Sequence, residues 1–297
     1  VFTCPNCDVA LTYHRFDESL RCHYCGANYK MPKTCPSCGR EYIKYTGIGT
    51  QQVEEQLKLV FPNVRCLRMD MDTTSGKTAH RDILDAFTRR EADVLIGTQM
   101  VAKGLDIPNV TLVGVVFADS TLFHSDFRSS ERTFQLLTQV AGRAGRADKE
   151  GRVVIQTNAP GHRAIRLCTK HDYKTFYNLE IGDRLRTLFP PFAVFVRAQF
   201  ACADENAAAD AAERFANGVT KTILTALKPA NAENELVFAL AGAAPIRRRE
   251  GLFRYAVIIK LVRTANTAAA INAIYAFSDG CADECYRGIE VNPQDML

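Results

Sequence analysis

The chain has 297 residues, 47% hydrophobic and 24% charged, a composition that supports two globular domains and gives no sign of disorder. No apolar run approaches the roughly 18 residues of a membrane-spanning helix. No charged-then-apolar leader precedes Cys4, so no signal peptide is expected and the chain reads as starting inside a longer protein. The net charge of +4 is too mild to argue for nucleic acid by itself; the outlying number is 11 cysteines.

Six of those cysteines form three C-x-x-C pairs: Cys4 and Cys7, Cys22 and Cys25, Cys35 and Cys38. Each pair places two thiolates on a tight loop. Two such loops close a tetrahedral Zn²⁺ site with sulfurs roughly 2.3 Å from the metal. A short hairpin around Ala10–Arg15 is expected between the first two pairs. A disulfide framework is the weaker reading, because the pairs are C-x-x-C and no leader is present. Ligand arithmetic assigns one complete zinc site to Cys4, Cys7, Cys22 and Cys25. Cys35 and Cys38 are left as half of a second, with His14 and His23 as candidates and a further C-x-x-C before Val1 as the preferred completion. Cys66, Cys168, Cys202, Cys281 and Cys285 share no spacing. Cys281 and Cys285, one helical turn apart, read as incidental thiols.

From Gly47 to Thr157 the pattern alternates helical and apolar segments. Thr50–Phe61 predicts a helix capped by Thr50, Val64–Met69 a strand, Ala79–Arg90 a helix, and Val94–Gly97 and Val110–Phe117 two buried strands. Ser129–Val140 predicts a helix and Arg152–Gln156 a strand. Such alternation implies a parallel sheet covered on both faces, with its site at the carboxyl ends of the strands. Ser75–Thr78 imitates the end of a phosphate loop, but position 71 is Met and the approach is acidic at Asp70 and Asp72. It reads as a loop and helix start, and no other phosphate loop occurs.

Two loops carry chemistry. In Gly97–Pro108, Thr98 offers a hydroxyl directly after a strand, and Lys103-Gly104 lets the backbone approach a phosphate. In Gln139–Arg146, Arg143 and Arg146 project together from a helix end, a geometry suited to a polyphosphate. A solvated charge pair at a helix C-terminus is the bland alternative.

The last third begins with an amphipathic stretch, Ala164–Leu188, stopped by Pro190-Pro191. Strands are predicted at Phe192–Phe200, Leu236–Leu240, Phe253–Val262 and Gly288–Val291, with helices at Asp204–Leu227 and Thr267–Phe277. This order suggests a small α+β sandwich. The intervening Pro245–Gly251 reads as a basic loop, its Arg247, Arg248 and Arg249 lying beside Phe253, Arg254 and Tyr255. Charge beside aromatic faces suits single-stranded nucleic acid, against a solvated hairpin tip.

The Gly97–Pro108 and Gln139–Arg146 segments, in this order and one strand and helix apart, resemble motifs V and VI of the second RecA-like lobe of superfamily-2 helicases. That resemblance implies DNA-backbone contacts from Thr98 and Lys103, a nucleotide site lined by Gly104, Asp106 and Gly142, and action on the γ-phosphate by Arg143 and Arg146, supported by Gln139. With the ribbon, Gly47–Gln51, Arg68–Thr74 and Asp126–Arg132 added, the chain resembles the bacterial replication-restart helicases of the primosomal protein N′ family. That family carries four C-x-x-C pairs and two zincs, which implies Cys4, Cys7, Cys22 and Cys25 as the inner site. The resemblance implies an ATP- and Mg²⁺-dependent 3′–5′ DNA helicase that remodels stalled or branched forks in the bacterial cytoplasm. Implied partners are branched and single-stranded DNA, single-stranded-DNA-binding protein and restart primosome proteins, with no membrane and a monomeric state. Arg247, Arg248 and Arg249 are expected on DNA, and Asp126, Phe127 and Arg128 at a strand-separating contact. Lacking a Walker lobe, the chain alone is expected to be inactive as an ATPase.

The expected architecture is therefore α/β: a RecA-like second helicase lobe (46–188) carrying a zinc-ribbon insertion (1–45), followed by a small α+β C-terminal domain (189–297). A non-enzymatic zinc-ribbon adaptor and a translocase on RNA are the alternatives. An adaptor has no use for the two helicase-type loops.

Overall fold

The computed structural model describes residues 2–14, 17–36, 38–40, 49–70, 73–74, 78–102, 110–124, 126–145, 151–227 and 235–294. The chain forms two compact units, one made of Val1–Tyr45 with Ile181–Leu297 and the other of Thr46–Glu180. The cysteine-rich region thus groups with the C-terminal residues instead of standing as a separate body. Among the described residues, no helix is long and apolar enough to cross a membrane.

The cysteine-rich region folds as three short antiparallel strands, β1 (Thr12–His14), β2 (Ser19–Arg21) and β3 (Asn28–Lys30), in the order β1-β2-β3. Its buried cluster consists of Cys4, Cys7 and Cys22, with Val9, Leu11, Cys25 and Ala27 packed around it.

The second unit opens with α1 (Thr50–Val60), β4 (Cys66–Met69), α2 (Ala79–Thr88), β5 (Val94–Gly97) and α3 (Gln99–Ala102). It continues through β6 (Leu112–Val115), α4 (Asp119–Leu122), α5 (Ser129–Ala141), β7 (Arg152–Ile155), α6 (Arg163–Cys168) and α7 (Tyr173–Thr187), which runs across the boundary. Strand β4 pairs with β5 and β6 with β7, both in parallel. Among the described residues these are two separate pairs, not the continuous sheet covered on both faces that the apolar runs imply. The β6–β7 pair turns Val115 and Ile155 toward Phe134, Leu137, Ile165 and Phe176, while Leu112 and Val154 stay exposed. One face is packed, so burial alternates along each strand.

Two local expectations change. Thr50 does not cap α1; Gly49 precedes the helix, and the Thr50 hydroxyl donates to Asp70 Oδ2 at 2.6 Å. Asp70 is buried just beyond β4, which also gathers Thr73 N at 3.0 Å and Arg68 Nε at 3.0 Å. The stretch Ala164–Leu188 is two helices, because the chain turns at His171 (φ 51°) and Asp172 Oδ1 accepts from Thr175 N at the start of α7. Of the P-loop-like segment, residues 75–77 lie outside the described residues, and Thr78 leads into α2.

The C-terminal part comprises β8 (Ala193–Cys202), α8 (Glu205–Ala226), β9 (Leu236–Arg249), β10 (Leu252–Val262), α9 (Thr267–Asp279) and β11 (Tyr286–Val291). The strands form one antiparallel sheet in the order β11-β8-β10-β9. Asp204 starts α8 by accepting from Ala207 N at 3.0 Å, the usual remedy for unpaired first-turn amides. Helices α8 and α9 cover one face, where Val196, Phe200, Val257 and Ile259 meet Phe215, Val219 and Ile274. On the other face Lys260 is buried between its cross-strand neighbours Phe195 and Phe238. Its Nζ donates to the Thr187 carbonyl at 2.8 Å and lies 4.8 Å from the Phe189 ring centroid. Burial draws its pKa below the usual lysine value.

Pro245–Arg249 is not a loop. It belongs to β9, and the turn is made by Glu250 and Gly251, both left-handed at φ 54° and 85°. Cys281 and Cys285 do not share a helical turn, since α9 ends at Asp279.

Asp119, at the start of α4, joins the ends of β6 and β7. Its carboxylate accepts from Asn158 N at 2.8 Å and from the Thr157 hydroxyl at 2.7 Å. The Asn158 amide first, then Thr157, hold its pKa below the ordinary carboxylate value. The folded chain therefore takes up this proton less readily than the unfolded chain, whose aspartate titrates near pH ~4. The stabilisation is present above that pH and disappears as pH falls through the depressed value. Urea titrations across this range should show a flatter acid limb for Asp119→Asn than for the wild type. Parallel acid limbs in the two proteins would refute the assignment.

Candidate metal centre and helicase half-site

The three C-x-x-C pairs are built alike. Cys4 N donates to Val9 O at 2.8 Å, Cys22 N to Ala27 O at 2.9 Å and Cys35 N to Arg40 O at 2.8 Å. Each first cysteine's carbonyl then accepts from the residue four further on: Asp8 N at 2.8 Å, Gly26 N at 2.9 Å and Gly39 N at 2.8 Å. Those three residues are all left-handed, at φ 53°, 72° and 70°. Glycine fills that conformation at no steric cost in two of them, and aspartate is among the residues that tolerate it in the third.

The loops at Cys4–Cys7 and Cys22–Cys25 face each other. All four Sγ atoms lie within 4.8 Å of one another, with Cys4 Sγ 3.7 Å from Cys25 Sγ. A tetrahedral zinc with sulfurs at 2.3 Å has S···S edges of about 3.8 Å, so the four thiols fit zinc. Burial, reinforced by the neighbouring thiols, pushes Cys7 up to about 12. Burial acts in the same direction on Cys22, but the amides of Cys25 and Tyr24 and the adjacent thiols outweigh it and bring that group to about 7. Zinc replaces these protons when it binds. Cys35 is half-buried and Cys38 exposed, and among the described residues neither joins the cluster. His14 and His23 lie with their rings 5.4 Å apart and are likewise outside it.

The centre is also held from far away in the sequence. At the β9–β10 turn, Glu250 N donates to Cys7 Sγ at 3.4 Å and Gly251 N to Asn6 O at 2.9 Å. Arg248 donates to Pro5 O at 3.2 Å while its guanidinium stands 5.0 Å over the Phe253 ring. Arg247 pairs with Glu205, Nε to Oε1 at 2.6 Å, and Arg249 with Glu250 at 3.3 Å. The three arginines expected on DNA therefore already have partners within the chain. A separation of 243 residues between Cys7 and Glu250 leaves no local signal by which the sequence could announce this docking.

In the second unit, Thr98 is exposed directly after β5 and its carbonyl accepts from Val101 N at 3.1 Å. Gly97 makes this turn possible: a Cβ there would come 2.1 Å from Val101 Cγ2 and 2.7 Å from Met69 O. Helix α3 packs against α5. Helix α5 is seated by buried Phe134 and Leu137, presents Gln139 to solvent and closes at Gly142, whose N–H meets Thr138 O at 3.1 Å. Arg143 follows, half-buried, its N–H on Val140 O at 3.0 Å. Lys103, Gly104, Asp106 and Arg146 lie outside the described residues. At the other end of α5, the Asp126 carboxylate is fully buried, accepts from Arg128 N at 2.8 Å and is flanked by Arg128 and Arg132 at 3.4 and 3.3 Å. The Arg128 guanidinium lies 4.1 Å over the Phe127 ring. Asp126 thus organises the start of the helix that delivers Arg143, a role its sequence position did not suggest.

The four convergent thiols define a zinc-ribbon type of centre, and comparison with known proteins adds the helicase class. Residues 4–30 match the PriA DNA helicase Cys-rich region domain, and residues 42–148 match the helicase conserved C-terminal domain. The chain is 46% identical over 271 residues to the replication restart protein PriA of Bacillus subtilis, covering 91% of this chain and 32% of that protein. It is 50% identical over 200 residues to the protein of the same name from Synechocystis, covering 66% of this chain and 24% of the relative. For Haemophilus influenzae the identity is 46% over 189 residues, 64% and 26% of the two chains. Over most of its length the chain is similar to replication restart proteins named PriA. It spans a third or less of the length of these relatives.

Zinc removal by a strong chelator should expose the Glu250 and Gly251 amides to hydrogen exchange while Val196 and Val257 stay protected. Unchanged exchange at the turn would separate the metal from the docking. Gly97→Ala should lower stability by about 1–3 kcal/mol through the clash with Met69 O and Val101. A variant as stable as the wild type in urea would show that β5 and α3 relax freely.

Proposed function

We propose that the chain is part of an ATP-dependent 3′–5′ DNA helicase that recognises and remodels stalled or branched replication forks to restart replication. The observation carrying this reading is the placement of Arg143 immediately after α5, within the residues matching the helicase conserved C-terminal domain, in a chain that also holds the zinc ribbon. The PriA relatives support the replication-restart role.

In this reading 46–188 is the second RecA-like lobe, 1–45 its zinc-binding insertion and 189–297 a DNA-binding domain. Arg143 and Arg146 bind and orient the γ-phosphate of ATP, with Gln139 beside them and Gly104, Asp106 and Gly142 lining the nucleotide. The nucleotide with its Mg²⁺ supplies the phosphoryl group, and the phosphate loop comes from a part of the helicase outside this chain. Thr98 and Lys103 hold the DNA backbone after β5, and Arg128 and Arg247–Arg249 add further contacts. Cys35 and Cys38 form half of a second zinc site. The protein works as a monomer in the bacterial cytoplasm, with single-stranded-DNA-binding protein and restart primosome proteins as partners.

An arginine acting on the transferring phosphate accelerates hydrolysis by roughly 10³ or more. Arg143→Ala in the full-length helicase should therefore cost about that factor in DNA-stimulated ATPase while zinc content is retained. Full ATPase in that variant, alongside DNA binding that depends on zinc, would favour a zinc-ribbon adaptor. DNA-stimulated ATPase from this chain alone would overturn the division of the nucleotide site.

A further inference from the structure

In the C-terminal sheet the strand register breaks twice near the same end, once in β11 and once in β9. Strand β11 pairs Tyr286 with Phe200 and then Gly288 with Gln199, so Arg287 is an extra residue between them. Strand β9 pairs Ala243 with Tyr255 and Arg248 with Phe253, leaving Ala244, Pro245, Ile246 and Arg247 opposite Arg254 alone. Proline has no N–H to offer a ladder and suits such a break. Bulges of this kind re-aim side chains.

The two breaks fall within two residues of each other along β8, that of β11 between Phe200 and Gln199 and that of β9 at the level of Ala201. Arg254 is its cross-strand partner on one side, and Arg287 Nη2 donates to its carbonyl at 2.6 Å from the other. Arg197 and Gln199 precede Ala201 on the same face of β8, and Gln199 has only Gly288 and Ala256 as its register neighbours. The small neighbours leave a cleft of about 40 Å³ lined by Arg197, Gln199, Pro245, Arg254 and Arg287.

The charge of this cleft is not balanced. Arg197 pairs with Glu290 at 2.9 Å. Arg287 is held by backbone carbonyls of Glu284, Tyr286 and Ala201, which fix its direction without neutralising it. Arg254 is half-buried and, among the described residues, has neither a hydrogen-bond acceptor nor a carboxylate partner. Burial, then the charges of Arg249 and Arg197, draw its pKa down. A half-buried cation beside like charges opposes folding unless an anion joins it. Rigid, forked guanidiniums match the oxygens of a phosphate.

We propose that this cleft binds one phosphodiester of a nucleic-acid strand, with Arg254 as the principal ligand and Arg287 and Arg197 beside it. The inference rests on reading the C-terminal part as nucleic-acid-binding and assigns that contact to the open face of the sheet. Tyr24 of the ribbon is exposed, lies within electrostatic reach of Arg254 and gives an adjacent base an aromatic surface.

The test uses the zinc-loaded chain, a fluorescent oligothymidylate strand and a salt titration. Arg254→Ala should weaken binding about tenfold and reduce the slope of log K against log salt by about 0.7, one phosphate contact on a single strand. Arg254→Lys should retain the slope. Arg254→Ala should also melt no lower than the wild type, since no internal partner is lost. Unchanged affinity and slope in Arg254→Ala and Arg254→Glu would overturn the cleft while leaving the nucleic-acid reading intact. A wild-type chain that binds no strand would overturn both. Displacement of the strand by ADP, with direct ADP binding lost in Arg254→Ala, would make the cleft a nucleotide site and overturn the phosphodiester assignment.

Discussion

The convergence of four thiols on one small volume is the constraint on which the amino-terminal region depends. Its strands are three residues long, and its buried residues are chiefly the cysteines themselves. So small an apolar cluster cannot offset the conformational entropy of ordering these loops. Metal–thiolate bonds can, and in such regions metal affinity is folding free energy. The dependence then spreads outward. The β9–β10 turn donates to Cys7 Sγ and Asn6 O, so its seat exists only when the first C-x-x-C loop is formed.

The C-terminal sheet is built on the opposite principle. Val196, Val257, Ile259 and Ile274 are essentially inaccessible, and rings of Phe200, Phe215 and Tyr286 lie within 5.6 Å of one another. Apolar burial holds this part without a metal. Its second face is the one that carries charge, from buried Lys260 at one end to the arginines at the other. The lobe with α5 is intermediate: one side of β6–β7 is packed, and the aspartates Asp70, Asp119 and Asp126 tie loop ends that apolar contacts leave loose.

Most helices and strands were legible because their cause is local. Apolar spacing over Thr50–Val60, Ser129–Ala141 and Glu205–Ala226 survives any tertiary context, and the C-x-x-C pairs carry their own turn geometry. What escaped had a distant cause. Thr50 looked like a cap until Asp70 came within reach of its hydroxyl. Pro245–Arg249 looked like a loop because its partners on β10 are invisible from composition. Val110–Phe117 looked doubly buried because an apolar run does not reveal which face is covered. The arginines of β9 looked free to meet DNA, yet their partners Glu205 and Pro5 lie far away in sequence.

The three look-alike C-x-x-C loops also differ in chemical vulnerability. Cys4, Cys7 and Cys22 are shielded almost completely, and Cys7 shares its electron density with the Glu250 amide. Cys38 stands at the surface on the same backbone turn. Accessible thiolates react first with oxidants and alkylating agents, and buried, hydrogen-bonded ones last. Oxidative damage to this chain should therefore be graded, reaching the third loop long before the metal cluster that seats the β9–β10 turn.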